Sequence, residues 1–290
     1  MKTLFLLLFS VFLTAASTYG EESAPEGMVL IPKGLFQMGS KKSMLELRPH
    51  DLYNIDRHTL GPENPAHEVY LDGYYIDLYE VTNDAYEKYI KETGDKKPLG
   101  WNNPNFKEPK QPVVGIAWKE AVKFCEWQNK RLPSEAEWEK AARGVDNYIY
   151  PWGNEFEFSG ANVSSSAIKK KGRGLKPVGS FPQGVSFYGT YDMIGNVWEW
   201  VWDYYLPYPN NTHTWKEKDK KELVVRGMSY LGVGHFPKEE YEKVIVLKSR
   251  ASYREHLNPL SKKKDVGFRC AKDKLTLYET FFGKTYQKKV

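Results

Sequence analysis

Apolar and polar positions along this chain follow two periods, and the changes between them mark its elements. Met28–Gly39 alternates around Pro32-Lys33-Gly34, which predicts two short strands and a turn. His67–Leu78 alternates in the same way, with a turn at Asp72-Gly73. The period then lengthens. Thr82 reads as an N-cap before a helix over Asn83–Thr93, with Ala85, Tyr86, Tyr89 and Ile90 on one face and Gly94 ending it. A second helix is predicted from Trp118, with Ala121, Val122, Phe124, Cys125 and Trp127 inward. Ser134 and Glu137 form a capping box before a third helical stretch that turns Trp138, Ala141 and Ala142 inward. Later segments return to strand patterns: Leu223–Tyr230, Val244–Tyr253 and Val266–Ala271. Lys41–Pro65, Asp95–Pro112, Asn162–Gly174 and Pro207–Glu222 keep no period and read as loops or insertions.

The densest stretch is Gly179–Asp203. Trp198, Trp200 and Trp202 recur at period 2, so a strand would place them on one face and Glu199 on the other. Asp192 and Glu199 flank a Gly195-Asn196 turn. Carboxylates around a turn with inward carbonyls are what a calcium ion takes. The residues alone leave two readings: a Trp-rich core strand with solvated acids, or a calcium loop.

Composition narrows the class. The chain has 290 residues, 15% aromatics, 23 Gly and 17 Pro, which favours a loop-rich fold over a helical bundle. The net charge of +5 is scattered, with no basic stripe, so nucleic-acid binding is not expected. Residues 1–20 carry Lys2, an apolar run Leu4–Leu13 and then small residues, the pattern of a cleavable secretory signal. The run is short for a membrane span, so a secreted or periplasmic chain without a span is expected after cleavage; an uncleaved anchor is the alternative. Cys125 and Cys270 are the two cysteines. In an oxidising compartment they would pair; otherwise they are two separate buried thiols. His50, His58 and His67 match no compact ligand spacing and read as solvated loop residues. No phosphate loop, dinucleotide fingerprint or serine-nucleophile elbow is present.

Several segments, taken in order, resemble the formylglycine-generating enzyme (sulfatase-modifying factor) family. They are GMVLIPKGLFQMG at Gly27–Gly39, DGYYIDLYEVTN at Asp72–Asn83, Pro112–Gly144, YPWG at Tyr150–Gly153, GTYDMIGNVWEWVWD at Gly189–Asp203, RGMSY at Arg226–Tyr230 and VGFRCA at Val266–Ala271. The resemblance implies an α+β fold: a single irregular domain like a C-type lectin, over residues 21–273, between a signal at 1–20 and a basic tail at 274–290. It also implies a bridge between Cys125 and Cys270, and one calcium site. That site would use the Asp192 side chain, the Gly195 and Val197 carbonyls and the Glu199 carboxylate. A second family calcium site would begin at Asn162 and Val163, but Lys170 falls near its downstream acid, so it is expected to be lost.

The family's oxidase holds Cu(I) between two thiolates just after the segment that here is Arg226-Gly227-Met228-Ser229. Those positions fall near Gly232 and Pro237, and neither is cysteine. Met228 and His235 are chemically allowed copper ligands, but copper is not expected. The His-x3-His-x-Glu iron motif of other members is absent. Ser229, Trp198 and His235 remain as candidates for a degenerate cleft.

Three functions follow. The first is an exported, non-catalytic accessory factor that binds a peptide or protein partner. The second is a family enzyme of altered chemistry, oxidoreductase-like or maturing a natural product. The third is a structural domain of the envelope or surface.

Overall fold

The structure is a computed structural model that describes residues 23–41, 61–164, 174–211, 221–233 and 236–275. The predicted signal, the histidines at 50 and 58, most of the polar tract at 162–174, His235 and the tail beyond 275 lie outside the described residues.

Two turns that look like hairpins in the sequence instead divide strands between sheets. Strands β1 (Met28–Ile31) and β2 (Gly34–Met38) flank the first turn, and β3 (His67–Leu71) and β4 (Tyr74–Asp77) flank the second. Yet β1 pairs with β4, and β2 pairs with β3, both antiparallel. The two turns lie against each other: a Cβ on Gly73 would sit 3.6 Å from the Lys33 amide. The last strand, β9 (Ala271–Asp273), joins β4 and completes a three-stranded sheet, β1-β4-β9. Lys272 and Asp273 are therefore sheet residues, immediately before the tail expected from 274.

Helix α1 (Asn83–Thr93) begins as expected, with Thr82 Oγ1 accepting from the Ala85 amide at 3.3 Å, and ends at Gly94 in the left-handed conformation. Helix α2 (Trp118–Trp127) presents Ala121, Phe124 and Cys125 to the core. Cys125 and Cys270 are bonded, and both are fully buried. Helix α3 (Glu135–Arg143) carries the capping box: Ser134 Oγ accepts from Glu137 N at 3.2 Å, and Glu137 Oε2 from Ser134 N at 2.7 Å.

α3 departs from its simple reading, because its polar residues are buried as well. Glu135 accepts from Arg226 and Arg254, and Glu139 from Arg226 and Arg143. Burial pushes the Glu139 carboxyl up, but Arg226 and Arg143 more than offset this and hold it below the usual range. The helix is thus packed on its charged side by ion pairs and on its apolar side by Trp138, Ala141 and Ala142.

A four-stranded sheet in the order β7-β6-β5-β8 forms the other half of the core. It comprises β5 (Trp198–Tyr204), β6 (Leu223–Arg226), β7 (Glu255–Leu257) and β8 (Val266–Phe268). Trp198, Trp200 and Trp202 meet different surroundings along β5: Trp200 is buried, while Trp202 is 51% exposed. The ladder to β6 shifts register between Trp200 and Tyr204, where the strand leaves the core.

The segment predicted as a strand at Val244–Tyr253 is instead helix α4 (Lys238–Lys248) followed by a turn. The Val244-Ile245-Val246 run suggested β structure. However, Tyr241, Val244 and Ile245 are buried together in one cluster, which is the i, i+3, i+4 spacing of a helix. No helix among the described residues is long and apolar enough to cross a membrane.

Candidate functional site

The loop before β5 is built from residues that tolerate positive φ. Asp192, Gly195 and Asn196 have φ of 56°, 89° and 59°. Gly195 is required by close approach, since a Cβ there would lie 2.8 Å from the backbone of Asn162. Asn196 ties the loop together. Its Oδ1 accepts from Asn162 Nδ2 at 2.9 Å and Lys176 N at 3.1 Å, and its Nδ2 donates to Glu80 Oε2 at 2.7 Å.

Three buried carboxylates gather behind this loop around one guanidinium. Arg269 donates from Nε to Glu199 Oε2 and from Nη2 to Glu199 Oε1, each at 2.7 Å. Trp138 Nε1 donates to the same Glu199 Oε2 at 2.9 Å. Asp192 Oδ2 accepts from the Gly179 amide at 2.6 Å, and Glu80 Oε1 from the Val197 amide at 3.2 Å. Burial pushes the Asp192 carboxyl up to about 6. Burial, with Asp192 and Glu199 nearby, pushes Glu80 well above the usual range. Glu80 is the residue the sequence reading missed. Its signal is an acid set between Leu78, Tyr79 and Val81, just ahead of a helix cap.

The donors match a hard cation in kind: Asp192 and Glu199 carboxylates with loop carbonyls between them. No cage of three acidic, histidine or cysteine side chains exists among the described residues. A calcium ion would therefore draw on carbonyls, and Glu199 would have to share its oxygens between the ion and Arg269.

A second site lies beside Trp198, the first residue of β5. Ser229 is fully buried, and its Oγ donates to Asp265 Oδ2 at 2.9 Å. Trp198 and Asp265 line a cavity of about 230 Å³ with Lys248, Glu255, His256 and Lys263. Val225, Val233 and Leu257 supply its apolar wall. Trp198 lines this cavity, Ser229 lies buried behind Asp265, and His235 lies outside the described residues. Met228 is buried, and its sulfur accepts from Ser249 Oγ at 3.2 Å. Burial, partly offset by Glu255, lowers the proton affinity of Lys248. The sequence reading missed Lys248 because it lies in the segment taken for a strand. It missed His256 because it stands alone in sequence; in the structure it stacks on Tyr205 and hydrogen-bonds Glu222.

A family model described as the sulfatase-modifying factor enzyme 1-like domain matches residues 15–274. The chain belongs to that family. Bos taurus formylglycine-generating enzyme is 29% identical to it, over 88% of this chain and 77% of its own length. The Bos taurus protein named inactive C-alpha-formylglycine-generating enzyme 2 is 26% identical, over 84% of this chain and 87% of its own length. Among solved structures, PvdO from Pseudomonas aeruginosa matches with a TM-score of 0.61 at 26% identity, covering 85% of this chain and 94% of that one. The single irregular α+β domain is the fold of this family. Its relatives include one protein named as an enzyme and one named inactive, so kinship alone assigns no activity.

The position where the resemblance would put the first thiolate is tightly packed. Gly232, near the first thiolate position, has a φ of 72°, and a Cβ there would lie 2.6 Å from Tyr241 Oη and 2.7 Å from Ser164 Cβ. A cysteine there fits only if Tyr241 and Ser164 give way. The cysteines that are present are locked together in the core.

Proposed function

We propose that this sulfatase-modifying factor family member is an exported accessory factor. It binds a peptide or protein partner in the cleft beside Trp198 and Ser229, without copper-dependent oxidase chemistry. The observation that carries this reading is the closed position at Gly232, set against a cleft that stays open next to it. Export is supported by the signal pattern at residues 1–20 and by the disulfide, which suits an oxidising compartment. The loop at Asp192, Gly195, Val197 and Glu199 is proposed to hold one calcium ion. Its role is structural: neutralising the excess of buried carboxylates over Arg269.

Two measurements test the reading. A cysteine peptide incubated with the protein, Cu(I) and oxygen is expected to remain unconverted by mass spectrometry; formylglycine in the product would overturn it. A photo-crosslinking residue at Leu257, on the cleft wall, is expected to trap a defined partner in intact cells.

One observation favours the second reading, an enzyme of altered chemistry. His256 borders the cleft with its Nδ1 hydrogen-bonded to Glu222, the arrangement that orients an imidazole for proton transfer. Turnover of a trapped partner that His256→Gln abolishes would decide for it.

A further inference from the structure

Four charged side chains line the small cavity at Trp198, two cations and two anions: Lys248, Lys263, Glu255 and Asp265. Opposite charges around one cavity normally close on each other. Here they do not. Lys248 makes a cation–π contact, its Nζ 5.3 Å from the centre of the Tyr253 ring; among the described residues it forms no ion pair, although Glu255 is near enough to strengthen its hold on the proton. Asp265 is held by the Ser229 hydroxyl, and Glu255 accepts from Tyr253 Oη at 3.3 Å and from the His256 amide at 3.2 Å. Each acid is fixed by a neutral donor, so each stays aimed. The indole of Trp198 and the side chains of Val225, Val233 and Leu257 line the same cavity.

We infer that this cavity binds a small zwitterion with an apolar side chain, an α-amino acid. Its carboxylate would be directed to Lys248 and Lys263, and its ammonium to Asp265 and Glu255. The inference rests on the proposed reading of the cleft as a binding site and names a ligand for it. Size supports it: about 230 Å³ lies below the range of pockets for drug-sized ligands and suits a ligand of about ten heavy atoms. The chemistry supports it as well. A ligand with both charges answers both pairs, whereas a simple anion would leave the acids facing it and a simple cation would leave Lys248 facing it. Burial has already weakened the hold of Lys248 on its proton, and a carboxylate brought beside it restores that hold.

Calorimetric titration of the full chain tests the inference with L-leucine and L-phenylalanine, and with two blocked probes. N-acetyl-L-leucine lacks the ammonium, and L-leucinamide lacks the carboxylate. The amino acids are expected to bind, with each blocked probe at least about tenfold weaker. Lys248→Met is expected to abolish the preference for leucine over leucinamide. Asp265→Asn is expected to abolish the preference for leucine over acetyl-leucine. Lys263→Ala, on an exposed side chain, provides a variant that folds regardless, and should weaken leucine and acetyl-leucine alike. Blocked probes that bind as well as leucine, or no binding by any probe up to about 10 mM, would overturn the inference. Partner crosslinks at Leu257 that persist in that event would leave the accessory-factor reading standing.

Discussion

Glu199 and Arg269 meet in a two-pronged ion pair, 2.7 Å on both sides, with neither residue exposed to solvent. The pair links β5 to the segment between β8 and β9. Arg269 also donates to the carbonyls of Asp77, Leu78 and Tyr191, and so holds β4 and the loop before β5 in one frame.

Removing Arg269 leaves Glu80, Asp192 and Glu199 buried with no guanidinium among them. Arg269→Ala is expected to destabilise the fold by about 3–5 kcal/mol, the usual cost of stranding a buried charge. Urea denaturation measures this. A loss below about 1 kcal/mol would show that the three acids are neutralised by another route.

The loop acids also set a pH dependence. Burial pushes Asp192 and Asp203 each up to about 6. Unfolded aspartates titrate near ~3.9. Between these values the folded chain keeps protons that the unfolded chain has lost. The stabilisation from these groups is therefore complete below ~4 and declines as pH rises to about 6. Denaturation in the presence of a calcium chelator is expected to show this decline, and Asp192→Asn should flatten it. Added calcium favours the ionised Asp192 and should raise stability more at pH ~7 than at pH ~5. A response to calcium that Asp192→Asn leaves unchanged would place the ion elsewhere.

The disulfide joins residues 145 positions apart. Bridging so long a loop restricts the unfolded chain, and reduction is expected to cost about 2–4 kcal/mol. Guanidinium unfolding with and without a thiol reductant gives the figure. Equal midpoints would mean that core packing alone holds α2 against β9.

Met228 has a φ of 65°, in the left-handed region that favours glycine. Its side chain is fully buried in the main core cluster. Met228→Gly relieves backbone strain of about 1–2 kcal/mol but empties a packed site worth about 2–5 kcal/mol. The net effect is expected to be destabilisation, read as a lower melting temperature. A rise in melting temperature would mean that backbone strain outweighs packing here.

Local signals in the sequence carried much of this fold. Thr82, Gly94 and the Ser134–Glu137 box mark helix ends because capping depends on neighbours within a few residues. The expected oxidising compartment pointed to a Cys125–Cys270 pair and the resemblance strengthened it; the bridge is formed. Pairing partners were not legible: β1 and β2 read as neighbours, yet each joins a strand from beyond the intervening loop. Lys238–Lys248 was misread because three adjacent β-branched or apolar residues outweighed the helix-forming run before them. At the site, Asp192 and Glu199 were visible as a pair, but Glu80 was not. Its role comes from Asn196 and Val197, more than a hundred residues away. Lys248 and His256 escaped for the same reason: their surroundings are assembled by the fold.

β9 closes the sheet that β1 opens, and β8 and β9 follow every other described element. Until that final segment is in place, Glu199 has no guanidinium, Cys125 has no partner and β4 has an open edge. A chain that lacks this segment is therefore held short of its native state however much of the rest is present. Pulse proteolysis of chains truncated before Val266 should find them uniformly sensitive, as a cooperative domain requires. The late strands act as a latch: the chain commits to one shape only once they have joined.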